Sequence, residues 1–480
     1  MSKSVDESKN IRTYKMRIKD KKFKSKVINY IYKYRHFENM YIILLNQDYK
    51  QNIGDFKLLI NYEIMRALFR GTTPKKLEEE LTYIRKKYKN HQIMNDLIRL
   101  SKELKIHNLV EIMKRVKSQY KGFFTKIKNG DYKAKPPKPK KLSKLANYTI
   151  PLDSAKGFSL KRKNRLGINL NDKMIRTYIN HKELKKVVGD LSKIKAVHLN
   201  FSNSELYLLF IYEKEEKEIK EKPYKSAGID IGINSLLSIY VDDKYTPSLI
   251  IDGKKFKTYN ANFNRFIAKL NREIMTTKDK NRKRYLEKYR TYLYEKRNRY
   301  FYDQFHKISK RVLEYLEKHN VTEIVLSDNL NNLKNNGKCK LNKTNKQSFI
   351  QIQFGKLISY IEYKAKDYGI EIKFVDESYT SKVSSLTEDI KVIQELFQYN
   401  LDLTNALNGK RVKRGLFKDK TINKIVNADL NGARNICILG NKKVQQNYKK
   451  GGVSRWLNVK LCNPIKVESD FELCKLIKSA

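Results

Sequence analysis

Two short segments, far apart in the chain, each set an aspartate beside a special stretch of backbone. Ser226-Ala-Gly-Ile-Asp230-Ile-Gly-Ile-Asn234, followed by Leu236-Leu-Ser-Ile-Tyr-Val241, reads as a buried strand that ends in a turn, with Asp230 in the strand. Asn427-Ala-Asp429-Leu-Asn431-Gly-Ala-Arg434-Asn435-Ile436 reads as the start of a helix. Between them, Phe374-Val-Asp376-Glu377-Ser-Tyr-Thr-Ser-Lys382 is a strand that again ends on carboxylates. Phosphodiester cleavage with two metals needs oxygen ligands from different elements that converge on ions about 4 Å apart. Carboxylates at the ends of neighbouring strands project into one crevice and meet that need. A lone Asp in Gly-x-Asp-x-Gly is equally a turn aspartate. Asp230, Glu377 and Asp429 together point to a metal-dependent nuclease.

The charge balance points the same way. Lys and Arg number 103 against 51 Asp and Glu, a formal charge of +52. A chain this positive repels itself unless a polyanion neutralises it, and nucleic acid does so with release of condensed cations. Base composition biased to Lys, Asn, Ile and Tyr accounts for the preference for Lys over Arg but not for the shortage of acids. No run of about 18 apolar residues appears, so no membrane span or membrane partner is expected. The charged N-terminus lacks a signal core. Cys339, Cys437, Cys462 and Cys474 form no C-x-x-C pair, which argues against a disulfide framework or a zinc ribbon and fits a reducing compartment.

Periodicity divides the chain. Ile11 to Ile18 alternates apolar and basic residues, as a strand does. From about Lys22 to Tyr120 the spacing is helical, as at Val27, Tyr30, Ile31 and Tyr34, and Gly71-Thr-Thr-Pro74 punctuates two of four or five helices. Prolines 136, 137 and 139 among lysines exclude helix and make an extended stretch, a solvated linker or a cationic strap carrying Lys138, Lys140 and Lys141. Residues 145 to 215 read as short strands of a small antiparallel barrel that Ile11–Ile18 completes. Glu213 to Lys222 is a mixed-charge linker. From Ala227 on, strands and helices alternate, as in an α/β sheet with a parallel part.

Several stretches together resemble the transposon-encoded TnpB (OrfB) family, related to compact type V CRISPR effectors and Fanzor proteins. They are Gly228-Ile-Asp230-Ile-Gly-Ile-Asn234, Asp303-Gln-Phe-His306-Lys307-Ile-Ser309, Phe349 to Ile358, Tyr363-Lys-Ala-Lys366, Glu377-Ser-Tyr-Thr-Ser-Lys382, Gly409 to Phe417 and Asn427 to Asn435. The resemblance is specific from about 225 to 440; before that only the layout matches. It implies a multidomain α+β protein, an RNA-guided DNA endonuclease whose partners are a guide RNA and double-stranded target DNA, acting as a monomer or dimer. The implied division is a wedge barrel at 1–21 and 126–222, the latter including the linker, and an inserted helical recognition lobe at 22–125. A RuvC-like nuclease of RNase H fold follows at 223–383 and 425–440, with a target-nucleic-acid-binding insert at 384–424 and a C-terminal tail at 441–480. The expected location is the cytoplasm, at the nucleoid, in a prokaryote, and the nucleus in a eukaryote.

The resemblance carries Asp230 and Asp429 over as first and third carboxylates, holding two Mg²⁺ for which Mn²⁺ can substitute. The second departs from the common pattern: the family glutamate at the end of the strand Val321–Leu326 is replaced by Ser327, followed by Asp328. In part of the family the next strand supplies it, which assigns Glu377. Asp328, one position off, should point away; a failed metal site is the further alternative. Many relatives carry two cysteine pairs between the second and third motifs. This chain has none there, so zinc is not expected, and Lys410, Arg411, Lys413 and Arg414 are expected on nucleic acid or in a solvated loop. Arg434 either steadies the scissile phosphate or pairs with a carboxylate. His306 reads as a packed or capping histidine. Tyr120, Phe123, Phe124 and Tyr132 are candidates for stacking on bases.

Overall fold

The computed structural model of the chain describes residues 10–140, 148–153, 156–171, 173–202, 205–215, 217–218, 225–328, 351–398, 407–413, 415–441 and 455–479. It divides into two units, Met1–Lys214 and Glu215–Ala480, with the division inside the expected linker. Arg414 and Lys141 lie outside the described residues, as does Cys339.

The first unit runs β1 (Ile11–Arg17), α1 (Lys21–Gln51), α2 (Phe56–Leu59), α3 (Tyr62–Arg70), α4 (Glu78–Lys87), α5 (Gln92–Lys102) and α6 (Ile106–Lys128). It continues with β2 (Tyr148–Leu152), β3 (Phe158–Ser159), β4 (Arg165–Asn169), β5 (Met174–Tyr178), α7 (His181–Val188), β6 (Ile194–Ser202) and β7 (Glu205–Glu213). Asp20 starts α1 by accepting the Phe23 N–H at 2.9 Å. Phe23, Val27, Ile31 and Tyr34 then recur on one face and are buried. Gly71 ends α3 at φ 67°, the left-handed conformation that glycine adopts without a Cβ penalty. Tyr120 and Phe123 are core residues of this unit, whereas Phe124 and Tyr132 are 37% and 84% exposed, so only the last two keep a face for bases.

β1 pairs antiparallel with β7 along its whole length, from Ile11 opposite Glu213 to Arg17 opposite Tyr207. The helices are therefore an insertion between two strands of one sheet. That sheet has the order β1-β7-β6-β2, and β3-β4-β5 form a second, separate antiparallel sheet. The expected barrel does not close among the described residues. Pro151, on edge strand β2, has no N–H to offer a further strand. The proline-rich stretch runs beside α1: Asn46 donates to the Pro137 carbonyl at 2.8 Å, and Asn39 exchanges two hydrogen bonds with the Lys140 backbone. The Lys138 and Lys140 side chains are exposed.

The second unit begins with β8 (Ser226–Asp230), β9 (Ser235–Val241), β10 (Leu249–Asp252), α8 (Lys254–Thr276), α9 (Lys280–Lys318), β11 (Glu323–Ser327), α10 (Phe354–Ala365) and β12 (Glu371–Val375). Then come α11 (Ile390–Gln398), β13 (Gly409–Lys413), β14 (Leu416–Asp419), β15 (Lys424–Asn427), α12 (Ala428–Gly440), α13 (Arg455–Cys462), β16 (Ile465–Val467) and α14 (Asp470–Ser479). Six strands make one mixed sheet in the order β12-β11-β8-β9-β10-β16. β8, β11 and β12 are parallel neighbours, while β8-β9-β10 run as an antiparallel meander. The stretch expected as a tail contributes β16, parallel to β10 with Ile251 opposite Val467. Three residues are too few to show a period, so pattern reading missed that strand.

α12 crosses β8, β9 and β11. Its approach to β8 is close enough that a Cβ on Gly228 would stand 2.0 Å from the Ala433 carbonyl oxygen, so only glycine fits. β13-β14-β15 form a small antiparallel sheet, and Asn427 is both the last residue of β15 and the N-cap of α12. This insert packs around buried Asp419, which accepts from the hydroxyls of Ser384 and Thr387 and from the Thr421 and Ile422 N–H groups.

Candidate active site

Asp230 is the last residue of β8, and Glu377 follows the parallel strand β12 two residues past its end. Asp429 sits in the first turn of α12. The Asn427 side chain caps that helix, accepting from the N–H groups of Asp429 at 3.0 Å and Leu430 at 3.1 Å. A carboxylate in a first helical turn is favoured by the helix dipole. Ser235, at the start of β9, donates to Asp429 Oδ2 at 2.7 Å, and Arg411 Nη2 of β13 lies 3.3 Å from Oδ1. Asp230 reaches the same helix end: a Cβ on Gly432 would lie 3.1 Å from Asp230 Oδ2, tight enough that the carboxylate would have to give by a few tenths of an ångström.

Asp230 feels both of the other acids. Burial at the strand end pushes the Asp230 carboxyl up to about 7, and the charges of Glu377 and then Asp429 add to the push; the Ile231 N–H and Arg411 oppose it. Glu377 is raised too, chiefly by burial, while a hydrogen bond from Ser327 holds it back. Ser327 occupies the position where the family pattern has its glutamate, and here it is buried and serves the carboxylate from the next strand. Asp328 is exposed, and its backbone N–H extends the β11–β12 ladder to the Val375 carbonyl at 2.9 Å.

A set of local and helix-borne hydrogen bonds holds the Glu377 turn. Asp376 Oδ1 accepts from the Ser378 N–H at 3.0 Å, and Thr380 donates twice to the Glu377 carbonyl. Tyr379 sits at φ 67°, uncommon for a bulky residue, and stacks on Phe397 of α11 at 3.9 Å between centroids. Gln394 of α11 donates to the carbonyls of Asp376 and Ser378. From α12, Asn435 donates to the carbonyls of Thr380 and Val383, and Asn431 donates to Val383 and accepts from the Ser385 N–H. Sequence reading quoted Asn431 and Asn435 without a role. Two buried-side amides one helical turn apart beside Asp429 were the available signal.

The donors fit a hard divalent ion in kind, being carboxylate oxygens from a strand end, a turn and a helix start. As the side chains lie, no three acids, histidines or cysteines among the described residues stand close enough to enclose an ion. A cleft of about 630 Å³ opens beside Asp429, lined also by Ser235, Arg411, Asn427, Lys254 and Lys466; Asp230 and Glu377 do not line it. Lys410 and Lys413 are exposed on β13. Arg434 departs from the phosphate reading: it is 4% exposed, its guanidinium 5.8 Å from the Tyr240 ring centroid, and its charge stabilises the anion of half-buried Asp242. A guanidinium sealed in this way does not reach a polymer in solvent. His306 is stacked on Tyr360 at 4.1 Å, and burial followed by Lys364 pushes it down to about 4, as expected of a packed histidine.

Comparison with known proteins adds sequence relationships to this geometry. The probable-transposase family OrfB_IS605 matches residues 209–333, and the Cas12f1-like TNB domain matches residues 354–436. A TnpB-like protein of Methanocaldococcus jannaschii is 31% identical over 133 residues, which are 28% of this chain and 45% of the relative. The match thus spans less than half of that relative's length. The cryo-EM structure of a Cas12f1–sgRNA–target DNA complex shares the fold at a TM-score of 0.51 and 17% identity, over 89% of this chain and 99% of that one. Two family matches on successive stretches, 209–333 and 354–436, with these relatives beside them, make the chain similar in sequence to TnpB-like proteins and similar in fold to a Cas12f1 structure.

Proposed function

We propose that the protein is an RNA-guided DNA endonuclease that cleaves target DNA by metal-dependent phosphodiester hydrolysis at Asp230, Glu377 and Asp429. Guide pairing selects the sequence, and the protein reads duplex shape and a short flanking motif. In this reading the second unit is a RuvC-like nuclease of RNase H fold, and the first unit is a wedge with an inserted recognition lobe. Guide RNA and double-stranded DNA are the polyanions for which the charge of +52 calls.

The observation that carries the reading is Asp230, at a strand end and against the first turns of the helix that carries Asp429, within electrostatic reach of both Glu377 and Asp429. Asp230, Glu377 and Asp429 would hold two Mg²⁺, with Mn²⁺ an acceptable substitute. The metal, when bound, supplies the Lewis acidity that activates water and stabilises the leaving oxygen. The chain's own residues do the rest. Asn427 caps the helix that presents Asp429, Ser235 orients that carboxylate, and Ser327 orients Glu377. Asp230, raised by burial and by the neighbouring acids, would serve as a carboxylate donor once a bound cation offsets those charges. Arg411, paired with Asp429 here, would be the cation available to a substrate phosphate beside the metal-holding carboxylates. Lys410 and Lys413, exposed on the second unit, and Lys138 and Lys140, exposed on the first, would each contact phosphate; Arg414 and Lys141, outside the described residues, are assigned to nucleic acid from the sequence alone.

A nuclease-inactive RNA-guided repressor is the second reading, favoured by Ser327 at the family glutamate position and by the loose spacing of the acids. One experiment separates the readings. RNA that co-purifies with the protein is sequenced, and the ribonucleoprotein is given Mg²⁺ and DNA matched to that RNA. The proposal expects a defined RNA and guide-matched, Mg²⁺-dependent cutting. Tight binding without cutting favours the repressor, and cutting by protein that carries no defined RNA means a guide-free nuclease.

A further inference from the structure

Arg35, on α1, is 5% exposed, yet among the described residues its guanidinium donates no hydrogen bond. Its partners are Glu38 Oε2, at 3.9 Å, and the Tyr148 ring, 4.8 Å from the guanidinium carbon to the centroid. Arg115, on α6, faces the same ring at 5.5 Å. It donates to the Thr149 carbonyl at 2.6 Å and to the same Glu38 oxygen at 2.9 Å, while its buried Nε has no partner. One carboxylate therefore serves two guanidinium groups, and the cluster carries one uncompensated positive charge. Lys114 is committed to Glu111 at 2.8 Å. Burial, then the Arg115 charge, keeps His198 neutral in the wall, so it neither adds to nor cancels the excess.

An unmatched buried cation is unfavourable unless something pairs with it. These groups border a cavity of about 590 Å³, lined among others by Arg35, Glu38, Arg115, Lys140, Tyr148 and His198. Pockets of a few hundred Å³ take small ligands or one residue of a larger one. The guanidinium fork matches the paired oxygens of a phosphate in geometry, and its weak hydration suits a half-buried site. A phosphodiester carries a single negative charge, equal and opposite to the excess of the Arg35–Glu38–Arg115 cluster. Lys140, at the rim and tied by its backbone to Asn39, adds a cation on the approach.

We propose that this cavity seats one phosphate group of a nucleic-acid backbone, bound by the guanidiniums of Arg35 and Arg115. The site stands on its own geometry; only the identity of the polymer rests on the function proposed above. The full-length protein is titrated calorimetrically at constant ionic strength, first with inorganic phosphate and then with a single-stranded RNA 12-mer. For wild type a saturable phosphate site is expected. Arg35→Gln weakens it at least about tenfold, as loss of a bidentate charge-assisted pair does, and weakens RNA binding with it. Glu38→Gln leaves both cations unneutralised and tightens phosphate several-fold. Unchanged phosphate affinity in R35Q overturns the site. Loss of phosphate binding with RNA affinity intact overturns the assignment to nucleic acid and leaves the nuclease reading standing. If R35Q does not fold, Glu38→Gln decides: a purely structural ion pair predicts unchanged phosphate affinity in E38Q, and that result overturns the proposal.

Discussion

Glu377 is held by its neighbours more than by its own strand. The Ser327 hydroxyl, the Thr380 bonds to its carbonyl and the stacked Tyr379 behind it aim a side chain that lies beyond the last paired residue of β12. Glu377→Ala is expected to abolish cleavage with target binding unchanged, while Asp328→Ala cuts nearly as wild type; a cleavage time course with a parallel gel-shift titration checks both. Asp230 sets a pH dependence. Its carboxyl is held at about 7 in the folded protein against an ordinary 3.8. Between those values the folded, cation-free protein keeps a proton that the unfolded chain has lost. Stability therefore falls as pH rises through this window, and the penalty is complete above about 7. Asp230→Asn removes it. The variant should be more stable than wild type at pH 8 without divalent cations, by the order of 1 kcal/mol or more, and the difference should vanish near pH 4. Mg²⁺ should reverse the order, stabilising wild type alone. Urea denaturation at the two pH values, with and without Mg²⁺, tests it.

At the scale of elements, the contact of β8 with α12 positions two of the three acids. Gly228 allows it, since any side chain there would run into the Ala433 carbonyl. Gly228→Ala should destabilise the second unit by about 1–3 kcal/mol, the range for overpacking a tight core, and reduce cleavage more than DNA binding; denaturant midpoints and single-turnover rates measure the two effects. Much of this level was legible beforehand. The strand ending on Asp230, the helix opening on Asp429 and the strand before Glu377 all carry periodicity or cap chemistry that acts over a few residues. The pairing of β1 with β7 was legible from alternation on both sides of a helical block. What stayed hidden depends on contacts distant in the chain: the separate sheets in place of a barrel, β16 at the sheet edge, and the amide clamp of Asn431 and Asn435. For Arg434 the sequence left phosphate and carboxylate open for the same reason; five residues on from Asp429 it points to another side of the helix, onto Tyr240 and towards the Asp242 carboxylate.

For the molecule as a whole, charge is the dominant property. With +52 on the chain, nucleic-acid binding should be driven largely by counterion release. Affinity for matched DNA should drop about 10³-fold or more between 50 and 200 mM salt, with log K linear in log salt; fluorescence anisotropy across that range reads the slope, and a flat response contradicts it. Among the described residues no helix is long and apolar enough to cross a membrane. The account stands on three acids gathering around a divalent ion pair, and the most direct measurement is anomalous scattering from crystals grown with Mn²⁺. It predicts manganese within about 2.0–2.2 Å of carboxylate oxygens of Asp230, Glu377 and Asp429. Manganese bound elsewhere, with the Glu377 carboxylate turned away from both aspartates, would contradict it.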